Sequence, residues 1–323
     1  MTSLWRNTRP RIISAHPIYD IRAALAAQGH DVIHAHAFSM EELLPYLPDV
    51  DVLCISMMWQ NCVLERAPHL KFVQSISAGV DHFPQSQLRE RGIPLCSAGG
   101  TNAAAVSEHV LACILNISRR LFEARDDQKA RRWNPPGYHT VNRPQEVSGK
   151  HVIVIGYGQI GQKIAYLCRL LGMTVTAVKR QVARQDDADI EIITPDQVPE
   201  NLPRADFVVL SCPLTEQTQG LVGRDFLAAM NEKAWLINVA RGKVVQEDAM
   251  IDALRSGQIG GAALDTFEVE PLPETSSLWG LPNVLMTPHD AGDSQFYAGN
   301  VGRLLLDNIA RLEGGKELKN RIV

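Results

Sequence analysis

No stretch of this 323-residue chain approaches the roughly 20 consecutive apolar residues that span a bilayer. The opening "MTSLWRNTRPRIISAH" lacks even the shorter apolar run of a signal peptide. Nor is there a surplus of one charge. The 32 basic and 36 acidic residues leave a formal −4, which offers no polyanion-binding surface and makes nucleic acid an unexpected partner. No Cys-x-x-Cys occurs among the six cysteines (54, 62, 96, 113, 168 and 212). That scatter argues against zinc and disulfides, and for buried free thiols in a reducing compartment. His34 and His36 share a strand face but have no acids or cysteines beside them, so no metal site is expected. There is no low-complexity tract. These absences leave a cytoplasmic globular protein that meets neither membrane nor nucleic acid. Its apolar (45%) and charged (21%) contents are ordinary, and its length suits two domains.

What the chain does have is alternation. In the first hundred residues "RIISAH", "DVIHAH", "DVLCIS", "KFVQSIS" and "IPLCS" read as strands, with "YDIRAALAAQG", "SMEELLPYL" and "SQLRERG" as helices between them. This rhythm predicts a parallel sheet flanked by helices. A long helical pattern follows, "NAAAVSEHVLACILNISRRL", then a Pro-, Gly- and Asn-rich loop, "RRWNPPGYHTVNRPQEVSGK". A second series begins at His151: "HVIVIG", "TVTAVK", "DIEIIT", "DFVVLS", "AWLINVA", "GAALDTF" and "NVLMTPH". The closing segment carries Tyr297, Val301, Leu304, Leu305, Ile309 and Leu312 at helical spacing and returns to pack on the first domain. The expected fold is α/β with two doubly wound parallel-sheet domains, a Rossmann cofactor domain (102–291) and a smaller flavodoxin-like substrate domain (1–101 plus 292–323).

"VIVIGYGQIG" supplies Gly156, Gly158 and Gly161 in the G-x-G-x-x-G pattern, between an apolar strand and an amphipathic helix. The first glycine permits a tight turn, the second lets a pyrophosphate approach the backbone, and the third lets helix and strand pack closely. The helix N-terminus then offers N–H groups and partial positive charge to phosphate. Tyr157, Gln159 and Ile160 complete the turn. One familiar element is missing: no acid stands about 20 residues on, where it would receive the ribose hydroxyls of NAD. Lys179 and Arg180 stand there instead, Lys179 lying 23 residues after Gly156. Two cations suit the ribose phosphate of NADP, Arg as a bidentate partner and Lys as a point charge. The plain alternative is a solvated strand end with two snorkelling side chains. NADP(H) is the expected preference, with NAD(H) left open.

Downstream, "INVARGKVV", "ALDTFEVEP" and "MTPHDAG" each end a strand, and ligands of doubly wound sheets bind at such ends. Together they offer Arg241, Asp265, Glu270 and His289. With these in place the sequence resembles the D-isomer-specific 2-hydroxyacid dehydrogenase family, most densely over residues 149–292. The likeness extends to "SCPLTEQTQGLVG", "SISAGVDHF" and "NIARLEGGKELKN". It implies a reductase in which His289 gives a proton, Glu270 pairs with His289 and favours its protonated form, and Arg241 binds a carboxylate and polarises the adjacent carbonyl. Backbone N–H groups of Ala78 and Gly79 would hold the same carboxylate, and Asp265 the nicotinamide carboxamide. Cys212, Pro213 and Thr218 would lie along the cofactor, Val239 and Ala240 beside the nicotinamide, and Val106 behind its ring. Met57, Met58 and Trp59 are candidates for the substrate pocket wall, with core packing an equal reading. Asp290 stands where the family more often has an uncharged residue, and its role stays open.

The resemblance points to a reductase of small 2-keto acids, such as glyoxylate or hydroxypyruvate, giving the D-2-hydroxy acid. A homodimer is expected by analogy, with "RRWNPPGYHT" reaching toward the partner. A phosphite-type dehydrogenase fits the same Arg, Glu and His, whereas a formate-type one typically carries Gln where Glu270 stands. A dinucleotide-sensing corepressor-like protein shares the fold and these residues. The lack of a long disordered flank argues against it, and an end soon after "KELKNRIV" argues against a regulatory domain.

Overall fold

The computed structural model describes residues 4–135, 143–181 and 190–323. Part of the loop expected to reach toward a partner, residues 136–140, lies outside them. The chain divides into two compact units, one of Met1–Asn102 with Ser294–Val323 and one of Ala103–Asp293. Each is a parallel sheet between layers of helix.

The first unit holds five strands: β1 (Ile12–Ala15), β2 (Ala35–Ala37), β3 (Val52–Ile55), β4 (Phe72–Ser75) and β5 (Leu95–Cys96). Their order is β2-β1-β3-β4-β5, with every pairing parallel. Both faces are covered, so the strands are apolar throughout and successive residues feed opposite cores. Ile13, Leu53, Ile55 and Val73 enter one cluster, and Ile12, Val52, Cys54 and Phe72 the other. The second cluster takes in Tyr297, Val301, Leu305 and Ile309 from the final helix, Tyr297–Glu313. Gly302 makes that docking possible, because a Cβ there would stand 2.5 Å from Leu25 Cγ. The Tyr297 hydroxyl donates to the Ile76 carbonyl, so the helix arrives with its polar tip satisfied.

Seven strands form the second unit: β6 (His151–Ile155), β7 (Thr174–Val178), β8 (Glu191–Ile193), β9 (Phe207–Leu210), β10 (Trp235–Asn238), β11 (Gly261–Leu264) and β12 (Val284–Met286). The order β12-β11-β10-β9-β6-β7-β8 reverses direction between β6 and β9, the switch point at which such sheets bind ligands. The twelve runs read as strands from the sequence correspond to these twelve strands. The long helical pattern does not run unbroken. It is helix over Ala103–Arg119, then Arg120 takes a left-handed conformation (φ 57°) and a second helix, Leu121–Lys129, begins.

All six cysteines are free. Burial pushes the Cys168 thiol up to about 12, which keeps it neutral. Among the described residues no helix is long and apolar enough to cross a membrane, and no group of His, Cys, Asp or Glu is arranged to hold a metal.

Candidate active site

Parallel register sets the site in the larger unit. Val178, Ile155, Leu210, Asn238, Leu264 and Met286 pair in sequence across six strands and form one row at their C-terminal ends. The ladder runs one residue further. The N–H groups of Lys179, Gly156, Ser211, Val239, Asp265 and Thr287 donate to the carbonyls of Ile193, Val178, Ile155, Leu210, Asn238 and Leu264. With strands about 4.8 Å apart, the glycine turn, the Cys212 loop and the Arg241, Asp265 and His289 loops leave the sheet along one edge. This common edge follows from strand pairing alone, before any side chain is considered.

The glycine turn is built as its spacing requires. Gly156 has φ +103°, and a Cβ there would stand 2.6 Å from the Cys212 N. At Gly161 a Cβ would stand 1.9 Å from the Gly156 carbonyl oxygen, so helix Gln159–Leu170 meets β6 with no side chain between. Gly158 caps that helix, contributes no side-chain cap and has nothing within 4 Å of where a Cβ would be. The first turn of a twelve-residue helix therefore presents its N–H groups beside open backbone, which fits a pyrophosphate. Tyr157 and Cys212 are buried, Ile160 is half-buried and Gln159 is exposed. Burial raises the Cys212 thiol above its ordinary range. Lys179 and Arg180 follow β7, half-buried and exposed respectively.

Thr218 and Pro213 close the loop after β9. The Thr218 hydroxyl donates to the Pro213 carbonyl at 2.7 Å and accepts from the Thr215 N–H at 2.7 Å. The hydroxyl is thus spent on shaping the loop. Val106 is buried in helix Ala103–Arg119.

After β10 the chain turns at Arg241. Buried Asn238 holds that turn, its Oδ1 accepting from the Ala240 N–H and its Nδ2 donating to the Arg241 carbonyl. Arg241 Nη1 donates to the Ala240 carbonyl at 2.6 Å, which fixes one edge of a half-buried guanidinium. Val239 is half-buried and Ala240 buried beside it. Gly242 lets the turn close, because a Cβ there would fall 1.9 Å from the Phe267 carbonyl carbon. The loop after β11 therefore crosses directly over the Arg241 turn.

That crossing loop carries Glu270. Its Oε1 accepts from the Phe267 N–H at 2.9 Å, and its Oε2 meets His289 Nδ1 at 2.7 Å. Both side chains are partly exposed, at 35% and 44%. With Nδ1 engaged by the carboxylate, Nε2 is the ring atom left to exchange a proton. His289 itself has φ +55°, uncommon for a residue with a side chain. Asp290 is exposed, and its backbone N–H donates to Asp265.

Asp265 shows a function that sequence reasoning missed. It is 3% exposed, and its Oδ1 accepts from the Thr287 hydroxyl (2.6 Å), the Asp290 N–H (3.0 Å) and the Ala291 N–H (3.1 Å). Its Oδ2 also accepts from Ala291 N–H at 3.1 Å. The carboxylate thus ties down the loop on both sides of His289. A carboxylate one residue past a strand end is the only trace of this in the sequence.

The smaller unit has its own polar cluster after β3 and β4. Ala78 is exposed and Gly79 half-buried, and among the described residues neither N–H has an acceptor within the protein. Three serines shape their loop. Ser77 Oγ donates to the Gly79 carbonyl (2.8 Å) and Ser75 Oγ to the Ser77 carbonyl (2.8 Å). Ser77's single proton is then used, so Ser56 donates across the 2.6 Å separation between their hydroxyls. Trp59, for which pocket wall and core packing were equal readings, is packed in this unit's core against Phe83, at 8% exposure with its indole N–H buried. Met57 is the exposed residue of the three, at 72%, and Met58 is half-buried.

A doubly wound parallel sheet with a glycine turn at its switch point defines the larger unit as a dinucleotide-binding domain. The description "D-isomer specific 2-hydroxyacid dehydrogenase, NAD binding domain" matches residues 111–291, and the chain belongs to that family. It is 34% identical over 263 residues to glyoxylate/hydroxypyruvate reductase B of Erwinia tasmaniensis, covering 80% of each chain. It is 28% identical over 312 residues to the D-3-phosphoglycerate dehydrogenase of Methanocaldococcus jannaschii, covering 96% of this chain but 59% of that one. The chain thus spans well under two thirds of that relative's length. The crystal structure of a D-isomer specific 2-hydroxyacid dehydrogenase from Xanthobacter autotrophicus Py2, in complex with NADPH and MES, matches with TM-score 0.81 at 28% identity over 98% of both chains.

Proposed function

We propose that this protein is an NADPH-preferring reductase that converts a small 2-keto acid of the glyoxylate or hydroxypyruvate kind to its D-2-hydroxy acid. The observation that carries this reading is the 2.7 Å pair of Glu270 and His289, rooted on the same sheet edge as the glycine turn and Arg241. NADPH, when bound, supplies the hydride for the carbonyl carbon. His289 supplies the proton: in the imidazolium, Nδ1–H donates to Glu270 while Nε2–H goes to the carbonyl oxygen as the C–O bond becomes single. Glu270, steadied by the Phe267 N–H, fixes the ring and balances the charge. Arg241 has guanidinium N–H groups beyond the one held by Ala240, and these bind the substrate carboxylate and draw electron density from the carbonyl. Within the smaller unit, the N–H groups of Ala78 and Gly79 would offer donors of their own to a carboxylate.

Gly156, Gly158 and Gly161 would hold the pyrophosphate, and Lys179 with Arg180 the extra ribose phosphate. The NADPH in the Xanthobacter relative supports that cofactor assignment. The name of the Erwinia relative supports the substrate class. A homodimer is part of the same reading.

A panel of 2-keto acids run with NADPH and with NADH, followed by loss of reduced-cofactor absorbance, tests all of this together. The expected result is faster turnover of a two- or three-carbon keto acid with NADPH than with NADH. Equal or better catalytic efficiency with NADH would remove the cofactor preference. Tight NADPH binding without turnover of any keto acid would point to a sensor instead.

A further inference from the structure

The loop bearing His289 is held by a chain of polar contacts that continues past Asp265 into a different layer of the unit. Thr287 Oγ1 donates to Asp265 Oδ1 and lies 3.3 Å from His109 Nε2. A hydroxyl carries one proton, and here it points to the carboxylate. His109 must therefore be the donor in the second bond, with its proton on Nε2. His109 sits on helix Ala103–Arg119, in the layer that packs on the sheet, and Cys113 lies one turn further along. That thiol is pushed up to about 12, by burial first and by the Asp265 charge second, so it brings no competing anion. Ordered donors run from helix to loop: His109 to Thr287, Thr287 to Asp265, and the Asp290 and Ala291 N–H groups to the same carboxylate.

Geometry gives this chain something to do. His289 holds a positive φ, a region that histidine enters more readily than most residues but that stays uncommon for any residue with a side chain, so contacts around the loop help to keep it there. The residues on either side of it in the loop, Thr287 and the pair 290–291, are all bonded to one buried carboxylate. Glu270 grips only the ring. Backbone and ring are thus fixed by separate carboxylates, and the backbone anchor is in turn oriented by Thr287 and His109.

We propose that Thr287 and His109 are positioning residues: by orienting the Asp265 carboxylate they hold the loop of His289 where its imidazole can deliver a proton. The proposal rests on the proton-donor reading of His289. It assigns Thr287 and His109 no contact with substrate or cofactor, so their loss affects the chemical step and not cofactor binding.

Thr287→Val keeps the shape and removes the hydroxyl, whereas Thr287→Ser keeps the hydroxyl. The expected result is a kcat about tenfold lower in Thr287→Val with the Kd for NADPH unchanged, and a kcat near the parent value in Thr287→Ser, since small misplacements of a reacting group are costly. His109→Leu should lower kcat by roughly fivefold, the value of one hydrogen bond. A second readout needs no turnover. Hydrogen exchange at the amides of Asp290 and Ala291 should speed up about fivefold in Thr287→Val and not in Thr287→Ser. Equal behaviour of the Val and Ser variants in both measurements would overturn the proposal, as would parent-like exchange in Thr287→Val and His109→Leu. If the parent protein reduces no keto acid, the proton-donor reading fails on its own. The exchange measurement then still decides whether the anchor exists, and His109→Leu serves if Thr287→Val does not fold.

Discussion

In the larger unit the groups placed for the proposed proton transfer and carboxylate binding are side chains: Arg241, Glu270 and His289 leave three adjacent strands along one edge. In the smaller unit they are main-chain N–H groups, those of Ala78 and Gly79, held in place by Ser56, Ser75 and Ser77. Both sheets place these groups beyond the C-terminal ends of parallel strands, where N–H groups and loops are free to diverge. They differ in what would carry the proposed function. A guanidinium or an imidazole is lost with a single substitution. A backbone donor survives any substitution that keeps the loop's shape, and fails through the residues that set that shape. The contrast predicts large effects from single changes in one unit and graded effects in the other.

The strongest test of that contrast is removal of the proposed acid. His289→Asn should lower kcat by about 10²- to 10⁴-fold, with NADPH binding retained in a fluorescence titration. Arg241→Ala should behave similarly, and near-normal turnover in either would break the comparison at its root. Next comes charge at the end of β7. Replacing Lys179 and Arg180 together with Ser should weaken NADPH by roughly 10- to 100-fold, on charged hydrogen bonds of about 1.5–3 kcal/mol, while NADH changes little. Equal losses for both cofactors would mean that the cations do not read the ribose phosphate.

Ser77→Ala probes the smaller unit. It removes one donor to the Gly79 carbonyl, so KM for the keto acid should rise about fivefold with kcat almost unchanged. A collapse of kcat would show that this loop acts in the chemical step as well.

The smallest effect belongs to stability. His16 accepts the Ile18 and Tyr19 N–H groups at Nδ1, and burial, helped by nearby His36, lowers its pKa to about 4. The unfolded chain takes up this proton near 6.5 and the folded one only near 4. His16 therefore removes stability as pH falls through that interval and contributes no pH dependence above it. Thermal melts of the parent and of His16→Gln between pH 7 and pH 4 should converge as the parent loses its advantage. Parallel curves would exclude His16.

The same contrast governs what could be read from the sequence. Every strand was legible, because a sheet covered on both faces demands uninterrupted apolar runs, and "HVIVIG" or "DVLCIS" can do little else. In the larger unit the glycine turn could be named from residue type and spacing, whereas the roles of the other candidate residues came from the family resemblance. What stayed hidden was relational. Asp265 as the anchor of residues 290 and 291 depends on a register no single strand reveals. The break at Arg120 is a backbone conformation without a Gly or Pro to announce it. The serine lock in "SISAG" is invisible because serines are common in loops and only their mutual distances give them meaning. For Trp59 the sequence left pocket wall and core packing equal, and only its burial against Phe83 favours the core.

The crossing of the Phe267 carbonyl over Gly242, with no room for a methyl group, has a mechanical corollary. Two loops in bare main-chain contact cannot shift separately, so the turn of Arg241 and the loop of Glu270 behave as one rigid clasp. A push on either loop is then felt by both, and play in one cannot open without play in the other.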